Sequence, residues 1–108
     1  MNWDVILLPK AHEDYKSILV YLSNFYPSTP LKFDNDYQRV KSILAYNPRG
    51  CSVYSYHPDY RRALVGNYTL LYKIDDEHHE VHIHRIIRSN WEISSHLQYS
   101  EDTEDDGP

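Results

Sequence analysis

Four histidines crowd one short stretch, His78, His79, His82 and His84, with Glu80 among them. Two imidazoles and a carboxylate make a legitimate zinc or iron set. On a strand, where side chains alternate with a period of two, Glu80, His82 and His84 share a face. Neighbours two apart on a strand stand about 6–7 Å apart, so a shared ion demands particular rotamers. No CxxC or HExxH spacing accompanies them. The segment therefore reads as the solvated face of a strand, with no metal and no cofactor expected. Cys51 beside a histidine has the makings of a nucleophile and its base, but a single cysteine with no supporting motif reads as structural.

The basic residues say more. Arg61, Arg62, Arg85 and Arg88 all fall on expected strands or strand ends, and Tyr54, Tyr56 and Tyr60 flank the first two, an aromatic and basic patch. Arg85 interrupts the apolar register Val81, Ile83, Ile87, three residues expected on its own side of the strand. A guanidinium there needs a carboxylate, a carbonyl or a ligand, since an unpaired buried charge costs several kcal/mol. It is either a structural ion pair with Asp14 or Asp36 or part of a surface for an anionic partner.

Positioning these residues requires the following elements. Trp3–Leu8 is a short apolar run closed by Pro9 and reads as a first strand. From Ala11 to Phe25, the residues Tyr15, Ile18, Leu19, Leu22 and Phe25 recur at three- and four-residue steps, the stripe of an amphipathic helix. Thr29 is placed as an N-cap and Pro30 as the first residue of a second helix. Phe33, Tyr37, Val40, Ile43 and Leu44 carry that helix to the stop Asn47-Pro48-Arg49-Gly50. Helices joined so closely form an antiparallel hairpin. Beyond Gly50 the runs Ser52–Tyr56, Arg61–Val65, Tyr68–Asp75 and Glu80–Ile87 read as antiparallel strands. Gly66-Asn67 and the four residues 76–79 supply their turns. The fold class is α+β: a strand, a two-helix hairpin, then a mostly antiparallel sheet of three to four strands.

The chain has 108 residues, the size of one domain, and no apolar run approaches the length needed to span a bilayer. The absence of a signal-like segment and the lone Cys51 predict a cytoplasmic protein. The net charge of −5 disfavours nucleic acid, yet five acids stand in the last eight residues, and residues 1–100 carry 11 acids and 11 bases. Residues 1–98 are thus the expected domain, and 99–108 an acidic tail too charged to order itself.

This order of elements meets specific residues. Trp3-Asp4-Val5 with Leu8-Pro9-Lys10-Ala11, the stretch from Tyr60 to Glu77, and Val81-His82-Ile83-His84-Arg85-Ile86-Ile87-Arg88 together resemble the RelE/ParE superfamily of type II toxin–antitoxin toxins, over about residues 3–93. The resemblance implies a growth-inhibiting toxin of a plasmid-stabilisation module, held in check by a cognate antitoxin. It leaves a homo-oligomer open. RelE-like members cleave mRNA on the ribosome, whereas ParE-like members poison DNA gyrase by binding. In the ribonuclease reading, Arg62, Arg85 and Arg88 clamp the scissile phosphate while Tyr56, Tyr60 or His57 moves protons. The chain departs from that pattern: two expected arginines fall on Thr69 and Trp91, and an expected histidine on Arg88. The reading preferred here is therefore ParE-like, a binding inhibitor whose target and antitoxin surface includes Arg61, Arg62, Arg85, Arg88 and Trp91. The ribosome-dependent ribonuclease is the alternative, and a small His-cluster metalloprotein a remote third.

Overall fold

The computed structural model describes residues 2–89. The acidic stretch 99–108 and Trp91 lie outside them. The strand β1 (Asp4–Leu7) leads into helix α1 (Pro9–Leu22), then α2 (Ser28–Tyr46), a single 3₁₀ turn at Pro48–Gly50, and strands β2 (Arg61–Val65), β3 (Tyr68–Asp75) and β4 (Glu80–Arg88). The sheet order is β1-β4-β3-β2. The last three strands form an antiparallel meander, and β1 lies parallel to β4, Asp4 opposite Glu80 and Leu7 opposite Ile83.

Both helices cover one face of the sheet. Ala11 and Ile18 of α1 and Phe33, Tyr37, Val40 and Leu44 of α2 close over Ala63, Val65, Leu70, Tyr72, Val81, Ile83 and Ile86. The helices meet through Tyr15, whose ring lies 5.0 Å from Tyr37 and 6.0 Å from Phe33 and whose hydroxyl donates to Asp34. Gly66 takes φ +59 in the β2–β3 turn, the positive φ that a two-residue hairpin needs at its first central position.

Several boundaries differ from expectation. Pro9 opens α1 rather than merely ending β1: Leu8 is extended, and proline fits the first helical position, where no N–H is required. Helix α1 ends at Leu22 and leaves Phe25 exposed. Helix α2 begins at Ser28, so Thr29 and Pro30 sit inside its first turn and Thr29 is not its cap. Ser52–Tyr56 is not a strand. Only an isolated bridge joins Val53 to Arg61, and the segment folds as turns. Among the described residues no helix is long and apolar enough to cross a membrane.

Candidate functional site

The site residues are distributed by one irregularity in β4. Tyr72 pairs with Ile83 but Leu71 pairs with Arg85, so His84 is an extra residue, a bulge in the ladder. An extra residue inverts the facing of all that follows. Val81, Ile83 and Ile86 belong to the helix-covered core, whereas Ile87 joins Tyr54, Tyr60 and Leu71 in a second buried cluster on the other face. The expected common side for Val81, Ile83, Arg85 and Ile87 is corrected accordingly.

That second cluster is built by the segment between the 3₁₀ turn and β2. Its backbone closes on itself, Tyr54 N–H donating to Tyr60 O at 2.8 Å and Tyr60 N–H to His57 O at 2.9 Å, and Arg62 N–H ties it to Ser52 O at 3.0 Å. Tyr60, 1% exposed, meets His57 at 4.9 Å between ring centroids and His84 at 5.1 Å, each ring nearly perpendicular to its own, and the Lys73 ammonium lies 4.6 Å from its centroid. His57 Nδ1 is buried with no hydrogen-bond partner among the described residues. Burial pushes the Tyr54 phenol up, with the neighbouring Tyr56 adding to the rise and Arg62 opposing it. Tyr56 itself is exposed. His57, Tyr60 and Arg62 thus share this face with Lys73 and His84, which sequence reasoning did not include in the set. The period-two facing of β3 would have placed Lys73 beside Leu71, but the bulge that positions His84 leaves no mark in the sequence.

The other arginines are engaged elsewhere. Arg61 donates from Nη1 to Cys51 O at 2.7 Å, pinning the turn segment. Arg85, 9% exposed, donates from Nε to Asp14 Oδ2 at 2.7 Å and from Nη2 to Asp14 Oδ1 at 3.1 Å. The same Asp14 Oδ2 accepts the Ile86 N–H at 3.0 Å, so beyond the end of β1 a helix carboxylate caps the edge of β4. Asp36, the other partner considered for Arg85, lies 3.8 Å from Arg39. The Arg88 guanidinium carbon sits 5.8 Å from the centroid of Tyr21 on α1. Asp14, Ile18, Tyr21, Arg85 and Arg88 border a groove of about 350 Å³ between α1 and the uncovered part of β4. Arg62, Leu71 and Arg85 are in register across three strands, and Arg62 borders a separate hollow with Cys51, Ala63 and Leu64, away from the groove that Arg85 and Arg88 share.

At the β3–β4 turn a different group assembles. Asp75 and Glu80 are opposite each other, His82 Nε2 lies 2.8 Å from Glu80 Oε1, and ligand atoms of all three residues lie within 4.8 Å of one another. His78 donates its N–H to Asp75 Oδ1 at 3.1 Å and sets Nδ1 2.9 Å from Oδ2. Those bonds hold the Asp75 carboxyl below the ordinary carboxylate range and the His78 imidazole above its own. His84 turns to Tyr60 instead. His79, at φ +58, stacks on Trp3 at 4.0 Å.

Comparison with known proteins places this geometry in a family. Residues 5–90 match the ParE toxin of the type II toxin–antitoxin system parDE. The chain belongs to that family. Among solved structures, the ParE-family chain is similar to one in the chromosomal ParDE system of P. aeruginosa, with TM-score 0.68 and 20% identity over 80% of this chain and 95% of that one. It is also similar to a chain of the RelBE2 toxin–antitoxin complex of Mycobacterium tuberculosis, with TM-score 0.60 and 22% identity over 82% of this chain and 99% of that one. No curated protein is significantly similar to it in sequence.

Proposed function

We propose that this ParE-family toxin acts in the cytoplasm by binding DNA gyrase, without catalytic residues of its own, and that a cognate antitoxin neutralises it. The observation that carries this reading is the commitment of Arg85 to Asp14. A ribonuclease stabilises a developing phosphorane by converging several cations on it. Here Arg85 is closed off by a carboxylate, Arg61 holds backbone carbonyls, and Arg88 faces α1. The exposed Arg62 and Arg88 are assigned to target or antitoxin binding, and Trp91 keeps that assignment from its sequence position.

A second reading has its own support. His57, Tyr60, His84 and Lys73 meet on the face that carries Arg62, and imidazoles beside a tyrosine are proton-transfer groups. Ribosome-dependent cleavage would use them. Controlled expression in a bacterial host, followed by transcript mapping and supercoiling assays with purified gyrase, separates the two. The expected result is filamentation, a DNA-damage response, inhibited supercoiling and intact transcripts. Transcripts cut only in the presence of ribosomes, with gyrase unaffected, would replace gyrase binding by the ribonuclease.

A further inference from the structure

We propose that the β3–β4 turn is a binding site for one divalent transition-metal ion, zinc being the best match, held by Asp75, Glu80 and His82 and supported by His78. The argument is independent of the target of the toxin. Like charges directly opposite on neighbouring strands repel, and Asp75 and Glu80 form such a pair where the hairpin closes. Between them, His82 shares the face of Glu80 because it is two residues along the strand. Two carboxylates and one neutral imidazole neutralise a dication and mix oxygen with nitrogen, the donor set that suits zinc or its first-row neighbours better than calcium or magnesium.

Distances fit as well as donor types. A tetrahedral zinc with bonds of about 2.0–2.2 Å sets its ligand atoms roughly 3.3–3.6 Å apart. The donor atoms here are 2.8 Å apart for Glu80 and His82 and no more than 4.8 Å for any pair, so small rotations about side-chain bonds complete the set. The three side chains are 26%, 29% and 27% exposed, open enough for an ion to enter and to keep a solvent ligand in the fourth position. Metal-ligating groups are characteristically fixed by a further hydrogen bond. His78 does this for Asp75 with two of them, and each carboxylate oxygen retains a second lone pair for the ion. This set is not the Glu80, His82, His84 row that strand spacing offers, because the bulge sends His84 to Tyr60.

The test is titration of the full-length, tag-free, chelator-treated chain with Zn²⁺ by calorimetry, and with Co²⁺ by its visible absorption. The expected result is one ion per chain, a tetrahedral Co²⁺ spectrum, and a melting temperature raised by Zn²⁺ but not by Mg²⁺. His82→Gln, Glu80→Gln and Asp75→Asn should each remove the binding. His78→Ala, which touches no metal, should weaken it on the order of 10- to 100-fold, and His12→Gln on α1 should leave it unchanged. Circular dichroism identifies any variant that fails to fold, and the three ligand substitutions are separate tests. The proposal is overturned if the wild-type chain shows no saturable one-to-one binding, or if folded His82→Gln and Asp75→Asn bind as the wild type does.

Discussion

Arg85 and Asp14 show how one residue's environment decides its role. The pair is nearly buried, the Asp14 carboxylate takes two guanidinium N–H groups, from Nε and Nη2, and it also takes the Ile86 N–H. Removing one partner of such a pair leaves an uncompensated charge, which costs about 3–5 kcal/mol. Asp14→Ala is therefore expected to lower stability by that amount in urea unfolding. Replacing both, Asp14→Leu with Arg85→Met, should recover much of the loss, since apolar residues of similar size carry no desolvation penalty. A double variant no more stable than Asp14→Ala would mean that the Ile86 N–H bond, not the ion pair, dominates. That Arg85 needs a partner, whether a carboxylate, a carbonyl or a ligand, was legible from its place among apolar residues, although the bulge takes it off the face of Val81 and Ile83. Which carboxylate was not, because Asp14 and Asp36 lie on two helices whose placement over the sheet is a tertiary fact.

At the level of elements, periodicity located what it could. The helical stripes from Tyr15 to Leu22 and from Phe33 to Leu44, and the last three strands, were readable because burial on one face imposes a regular spacing. The Gly66-Asn67 turn was readable because positive φ has a chemical signature. Gly66→Ala should cost about 1–2 kcal/mol, measurable as a lowered denaturation midpoint, because its backbone stays at φ +59 while the nearest atom to the new methyl, Asp36 Oδ2, is 3.9 Å away. The penalty is conformational, so Gly66→Asn should recover part of it, asparagine tolerating that region better than alanine. Illegible were the 52–60 segment, whose alternating aromatic residues imitate a strand while its backbone bonds to itself, and the His84 bulge. A bulge is one residue inserted into a pattern that still looks alternating on either side. That single insertion moved Ile87 to the far face and hid the grouping of His84 with Tyr60 from any reading by spacing.

At the scale of the whole molecule, several of its 11 tyrosines are buried in the two clusters of the core. Burial, then the hydrogen bond and charge of Asp34, push Tyr15 up to about 12, and burial likewise raises Tyr37, Tyr68 and Tyr72. These phenols bind their protons more tightly folded than unfolded, where they release them near pH 10. Their contribution is fully present below pH 10 and falls as the pH rises toward 12 and beyond. Denaturation midpoints should drop steeply above pH 10, with phenolate absorbance rising together with unfolding. Substituting Tyr15→Phe should soften that drop.

The order of the sheet also governs when the molecule comes into being. Strand β1 is translated before both helices, yet the strand beside it is β4, the last among the described residues. Its ladder cannot form until the chain through Ile83 has left the ribosome, and the Asp14 cap on Ile86 must wait slightly longer. Contacts so distant in sequence close late and slowly. A chain with this topology stays incomplete for nearly the whole of its own synthesis, so a partner that recognises only the finished fold can engage it only when synthesis is almost over.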